Sequence, residues 1–345
     1  MAKNVFKIKG TNFTLNDKDF DMWGIRVANA LENDRTTFCL LNNMDDYKKH
    51  GINTMSVFLM GAWSGSANPF ECDGAINAKL RGSHTYNGRG NCEAYNYCNP
   101  YLDRLSVIIE EADAKDMVVN VGIFYQMRIN QLSGVEAIRN ATTNIAYWLK
   151  AKGYKNIFMD LVNEYAHIGY KDRDICFGMK NRGSADAGEI LIHDFKSILP
   201  DIPVSISTCG ADVKGVKQRY INFSNQDMFF IHHKIDPEAI RRETGRQLPV
   251  VCNEWGPGVA LEPTGNLGQW THKDKEEWEK VFNTIRNGNG KMFIFSHWKQ
   301  KMSVDGPHFE VGPKGTQPNK ERGGEPSDAW LFEMVEKFKS KEYSN

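Results

Sequence analysis

The chain lacks several things, and each absence narrows what it can be. Neither charge is in surplus, because Lys+Arg and Asp+Glu stand at 43 each and the formal net charge is zero. A neutral chain with no basic block carries no electrostatic footprint for nucleic acid or for an anionic membrane surface. No apolar run reaches the length of about 18 residues that a membrane span needs. The N-terminal stretch MAKNVFKIKG has no apolar core of the kind a secretion signal carries. No CxxC pair and no histidine-rich spacing points to a metal, and no cofactor motif is visible. Cysteine is sparse and odd in number, with seven at 39, 72, 92, 98, 176, 209 and 252. Cys39, Cys209 and Cys252 lie in apolar stretches and read as buried thiols. Cys72, Cys92 and Cys98 share one polar loop, where one pair could be bridged. Linkers, repeats and low-complexity tracts are also missing, so residues 1–345 read as one domain.

What is there is an alternation. The opening VFKIKGTNFTLNDKDF reads as a hairpin turning at Asn16-Asp17. Then apolar strands and amphipathic helices take turns. The strands are DMWGIRV, INTMSVFL, MVVNVGIFY, NIFMDLVNE, PVSISTC, DMFFIHH, LPVVCNE and KMFIFSHW. The helices are expected near 38–50, with Gly51 closing it, 100–115, 133–152, 184–199, 237–245, 273–287 and 327–340. Ser133 followed by Glu136 looks like a capping box for the third of these. An eighth helix, between PVSISTC and DMFFIHH, would lie within 211–223. Near-continuous apolar strands are those of a parallel sheet covered on both faces. Eight such units predict an α/β fold, a (β/α)8 TIM barrel with a short N-terminal hairpin. The rival, a doubly wound open sheet, wants a Gly-rich phosphate loop after its first strand, and GIRVANALEND has none.

Two of these strands stop on a carboxylate. FMDLVNEYAH breaks at Asn163-Glu164, and LPVVCNEWGPG at Asn253-Glu254. In a barrel the active site lies at the C-terminal strand ends. Strand alternation puts Glu164 on one face with Val162 and Asp160, and Glu254 with Cys252 and Val250. Two carboxylates across a barrel mouth are the equipment of glycoside hydrolysis, in which one protonates the leaving oxygen and the other attacks the anomeric carbon or activates water. A lone strand-end Glu is more often half of an ion pair. Two strands, both reading Asn-Glu, argue for chemistry. The aromatics, 11% of the chain with eight Trp, fit either a core or a set of platforms for sugar rings.

LVNE on the fourth strand and VVCNEWG on the seventh resemble clan A glycoside hydrolases, most of all family 5, the cellulase-like family. The hairpin with its first strand, MDDYKKHGINTMSVFL and FSHW agree in order, so the resemblance runs over most of the chain. It implies a retaining glycoside hydrolase that cleaves a β-linked oligo- or polysaccharide by double displacement. Glu164 would be the acid/base, Glu254 the nucleophile, Asn163 the contact to the sugar 2-hydroxyl and Trp298 the floor of the sugar site. The two carboxyls should then sit about 5–5.5 Å apart, against roughly 6.5–9.5 Å in an inverting enzyme. The implied partner is a carbohydrate, and the enzyme is expected to be a secreted or periplasmic monomer.

The chain departs from the family around the pair. TMSVFLMG lacks the second-strand Arg, for which Arg26 at the end of strand one is the substitute on offer. GIFYQ has Tyr125 and Gln126 in place of a third-strand His. FIHHK has His232 and His233 without the Tyr, and alternation lets only one of the two face inward. Trp63, Tyr125 and Trp255 stand at strand ends as further sugar contacts, and Asn253 reads as a structural hydrogen bond. The loop from Met60 to Pro100, with Trp63, Tyr86, Tyr95 and Tyr97, is expected to wall the cleft. A divergent clan A family fits as well as family 5. The other readings are a catalytically inactive carbohydrate-binding barrel, or a lyase or metal-dependent hydrolase on the same fold.

Overall fold

The computed structural model describes residues 2–61, 67–78, 99–125, 128–165, 187–208, 222–232, 236–255, 272–294 and 329–342. The chain opens with an antiparallel hairpin, β1 (Phe6–Lys9) against β2 (Asn12–Leu15), extended by β3 (Lys18–Asp19). Asn16 and Asp17 hold φ of 54° and 62° at the turn. Their short polar side chains tolerate that left-handed region, which suits the twist of a tight hairpin.

The barrel follows. Its strands are β4 (Trp23–Arg26), β5 (Thr54–Phe58), β6 (Val118–Phe124) and β7 (Ile157–Val162), then a fifth strand in two halves, β8 (Val204–Ser205) and β9 (Ser207–Thr208). β10 (Phe229–His232), β11 (Val250–Trp255) and β12 (Gly290–Ile294) complete it. Each pairs in parallel with the next, β7 taking β8 on one side and β10 taking β9 on the other, and β12 pairs with β4 to close the ring. The expected (β/α)8 barrel is the observed fold.

Seven α-helices lie among the described residues: α1 (Asp34–Lys49), α2 (Pro100–Ala114), α3 (Val135–Lys152), α4 (Ala187–Ile198), α5 (Pro237–Thr244), α6 (His272–Asn287) and α7 (Ala329–Glu342). α1 starts four residues before the expected 38, because the Asn33 side chain accepts the Thr36 N–H and Thr36 returns a bond to the Asn33 backbone. The capping box expected at Ser133 does not form. Gly134 is the residue before α3, and the Ser133 N–H and hydroxyl both go to the Cys72 carbonyl in the loop after β5. Cys72 is a free thiol, and Cys92 and Cys98 lie outside the described residues. So does almost all of the helix expected within 211–223.

Two apolar layers hold the barrel. Outside the sheet, residues such as Ile25, Val57, Val121, Met159, Ile206 and Ile231 pack with the inner faces of the helices. Inside, the first inward positions of the strands (Val118, Phe158, Phe230, Val251, Phe293) meet Phe6, Phe13 and Phe20 from the hairpin. The hairpin thus closes the N-terminal end of the barrel with stacked rings, Phe6 lying 5.2 Å from both Phe13 and Phe158. The polar residues are left to the opposite, C-terminal end.

Candidate active site

Arg26 is the last residue of β4, His232 the last of β10, Glu254 sits near the end of β11, and Glu164 lies two residues past β7. All four are at the C-terminal ends of the strands, and the two glutamates are 5% and 4% exposed.

Glu164 reaches the mouth by a local distortion. Its φ is +50°, in a region that costs a non-glycine residue about 1–3 kcal/mol and persists only where neighbours impose it. β9 imposes it. The Glu164 N–H donates to Ser207 Oγ at 3.2 Å, the Ser207 hydroxyl donates to the Val162 carbonyl at 3.2 Å, and the Tyr165 N–H donates to the Ser207 carbonyl at 3.0 Å. Neighbours on a flat strand face opposite ways, but this bend brings both Asn163 and Glu164 inward. Asn163 Oδ1 accepts from Arg26 Nη2 at 2.6 Å, and Glu164 Oε1 lies 3.0 Å from His232 Nδ1.

Glu254 is re-aimed by a β-bulge, and here the expectation from alternation is corrected. Val250 and Cys252 do not face the barrel interior. They pack in the layer under the helices, while Val251 is part of the inner cluster. The register against β10 then jumps, with Ile231 opposite Cys252 and His232 opposite Glu254. The extra residue, Asn253, shifts the phase by one and turns Glu254 into the site.

The result is a compact charged cluster. Glu254 Oε2 is 3.1 Å from Arg26 Nη2 and 3.2 Å from His232 Nδ1. One oxygen of Glu164, one of Glu254 and a ring nitrogen of His232 all lie within 4.8 Å of one another. Such a donor set would suit a divalent cation chemically, but Arg26 already supplies a fixed positive charge against Glu254. Arg26 is fully buried, with its guanidinium 4.8 Å from the Phe58 ring centre and 5.7 Å from that of Tyr125. Burial favours its loss of the proton, but the charge of Glu254, with smaller contributions from Tyr125 and Asp160, outweighs this and raises its pKa further. It stays a cation. Burial, and then the charge of Glu254, push the Tyr125 hydroxyl up, which keeps it a neutral hydrogen-bonding group beside Arg26.

Beneath the pair lies Asp160, which accepts the Ser207 N–H at 2.9 Å and the Asn253 amide at 3.2 Å. Burial pushes this carboxyl up to about 7, against the pull of Arg26 and the two hydrogen bonds.

Of the residues expected at the site, the structure brings together Glu164, Glu254, Asn163, His232, Arg26 and Tyr125. Trp63, His233 and Trp298 lie outside the described residues, as do Tyr86, Tyr95 and Tyr97 of the expected cleft wall and the side chain of Trp255. Asn253 makes the structural hydrogen bond expected of it. Ser207 and Phe58 were not anticipated. The inward register of PVSISTC could have pointed to Ser207, but Phe58, one apolar residue among many, carries no mark in the sequence.

No family model matches the chain, and no curated protein matches it in sequence. Its fold is found widely among solved structures, as three show. A glycoside hydrolase family 5 structure from Bacteroides vulgatus is 13% identical with a TM-score of 0.55, covering 85% of this chain and 62% of that one. The endo-1,4-beta-mannanase from Rhizomucor miehei is 14% identical with a TM-score of 0.54, covering 84% and 90%. An endocellulase from Pyrococcus horikoshii is 12% identical with a TM-score of 0.54, covering 97% and 98%. The chain spans less than two thirds of the Bacteroides protein and about nine tenths or more of the other two. At such identities the likeness is one of fold.

Proposed function

We propose that this chain is a retaining glycoside hydrolase acting on a β-linked oligo- or polysaccharide. The observation that carries the reading is the pair itself. Two buried glutamates at the ends of β7 and β11 converge to within 4.8 Å, and the Arg26 guanidinium pairs with Glu254. That approach suits direct attack rather than a gap that holds a water. The ion pair with Arg26 divides the roles. Glu254, held by the charge of Arg26, is the carboxylate nucleophile. Glu164, whose Oε1 lies 3.0 Å from His232 Nδ1, is the acid/base.

In the first step Glu164 gives its proton to the glycosidic oxygen as Glu254 attacks the anomeric carbon. The C–O bond breaks, the leaving sugar departs as an alcohol, and a glycosyl ester on Glu254 remains. In the second step Glu164, now a carboxylate, takes a proton from water, which attacks the same carbon and frees Glu254. Two inversions give net retention. Attack spreads the charge of Glu254 into the new ester bond, and Arg26 and His232 balance what remains on its other oxygen. Asn163, fixed by Arg26, is placed to meet a sugar hydroxyl beside the reacting carbon.

The test is hydrolysis of a panel of β-linked glycans, beginning with β-1,4-mannan and β-1,4-glucan, the polymers that the mannanase and endocellulase of like fold suggest. Reducing ends are counted and the first-formed anomer is read by proton NMR. A retained anomer supports the assignment. An inverted one removes Glu254 as nucleophile, and tight binding without cleavage would favour a carbohydrate-binding barrel.

A further inference from the structure

One buried ionisable group takes no part in the chemistry above. Asp160 on β7 is wholly shielded from solvent. Burying a carboxyl costs stability, and an apolar residue of the same size would serve the core better. Its two oxygens point to different strands. Oδ1 accepts the backbone N–H of Ser207 on β9, and Oδ2 accepts the side-chain amide of Asn253 on β11. Each partner leads to one glutamate. Ser207 receives the N–H of Glu164 on its hydroxyl and so holds the bend that turns Glu164 inward. Asn253 is the extra residue of the bulge that turns Glu254 inward.

We propose that Asp160 is a positioning residue, which sets the separation of the two glutamates by tying the β9 support of Glu164 to the β11 bulge beneath Glu254. A carboxylate is planar and rigid, so its two hydrogen bonds fix where Ser207 and Asn253 stand relative to each other across the barrel interior. Loss of both bonds lets the two strand ends relax independently. The effect falls on geometry at the reacting centre, where a displacement of about 1 Å can cost on the order of 100-fold in rate. Arg26 on β4 is the charged group that acts on Asp160 directly. Among the described residues, the other titratable groups toward the mouth are Glu164 beyond the end of its own strand, Tyr125 after β6, His232 on β10 and Glu254 on β11. The role rests on the glycosidase reading only in calling the two glutamates catalytic.

Four variants test it. Asp160→Leu keeps the branched shape and removes both acceptors. Asp160→Asn can keep both bonds, its oxygen facing the Ser207 N–H and its amide facing an Asn253 turned over. Asp160→Leu is expected to lower kcat about 100-fold with KM within about twofold, while Asp160→Asn restores most of kcat. The single-arm variants should separate. Ser207→Ala keeps the backbone bond to Asp160 but removes the hydroxyl that holds Glu164, and should cost more on substrates with poor leaving groups, whereas Asn253→Ala removes a bond to Asp160, loosens the nucleophile and should cost the same on all. Simple loss of folded protein would lower every substrate alike in both. NMR titration of 13C-labelled glutamate carboxyls reads the same coupling without turnover, and two resonances should move in Asp160→Leu. If the wild type cleaves no glycan, the glycosidase reading falls and the titration alone judges Asp160. A folded Asp160→Leu with wild-type kcat and unmoved glutamate titrations overturns the proposal, as does an Asp160→Asn as slow as Asp160→Leu. Should Asp160→Leu fail to fold, the glutamate titrations of Asn253→Ala, which removes one of the two Asp160 bonds, decide, and unmoved resonances there overturn the proposal.

Discussion

At the scale of single residues, the site sets two similar carboxyls in unlike surroundings. Arg26 pairs with Glu254, and the proposed division of labour follows from that contact. Glu254→Ala should abolish hydrolysis, and azide entering the vacated space should restore product of the opposite anomeric configuration. Glu164→Ala should spare the first step for substrates with good leaving groups, which need no proton, and azide should then give product of unchanged configuration. Arg26→Met keeps a long side chain against Phe58 and Tyr125 but leaves Glu254 buried without its cation. Removing one partner of a buried pair costs about 3–5 kcal/mol. That variant should therefore lose both stability and kcat, measured by thermal melting and by turnover of an aryl glycoside.

At the scale of elements, the barrel's working end depends on small departures from regular structure. The left-handed Glu164 and the bulge at Asn253 each spoil a strand so that a side chain can be aimed. The loop after β5 docks on α3 by a comparably tight fit. Gly74 has φ +84°, a Cβ there would lie 1.9 Å from the Ala137 carbonyl oxygen, and the Asp73 and Gly74 carbonyls accept the Asn140 and Asn144 side-chain amides. Gly74→Ala should therefore lift this loop from α3, which limited proteolysis or hydrogen exchange at 67–78 would register as lost protection. The start of α1 makes a milder case. Asn33→Ala deletes the cap on the Thr36 N–H and should cost about 1 kcal/mol in denaturant unfolding, with activity unchanged.

At the scale of the whole molecule, the barrel is sealed at one end and charged at the other. The hairpin rings fill the bottom, so Phe6→Ala should cost about 3–5 kcal/mol and lower the melting temperature without touching the active site. The buried carboxyl above them gives stability a pH dependence. Asp160 has its pKa raised from 3.8 to about 7 in the fold. Between those values the native state holds a proton that the unfolded chain has released, so the contribution is full below the lower value and is lost as pH rises through the upper one. Denaturant unfolding across that range should show wild-type stability falling with pH at this group, and Asp160→Asn should flatten the slope.

The sequence by itself determined the periodic part of this protein. Eight apolar strands alternating with helices cannot bury both faces except in a covered parallel sheet, and the Asn-Glu pairs mark where two of those strands stop. The fold, the hairpin turn and the candidate pair were legible from that pattern, whereas Arg26 entered only through the resemblance to clan A enzymes, as a substitute for an Arg missing from the second strand. Tertiary structure decided the direction of the side chains. Alternation has a period of two and places Glu254 with Cys252 and Val250, yet the bulge at Asn253 breaks the phase and gives Glu254 the opposite face from both. It likewise separates Asn163 from Glu164, yet a bend held by Ser207 from another strand points both inward. The cap of α3 went the same way, because Gly134 takes the N-cap position and the Ser133 N–H and hydroxyl both donate to the Cys72 carbonyl. In each case a local rule yielded to a hydrogen bond from a residue far off in the chain. Such partners exist only once the barrel has closed, so no window of sequence contains them.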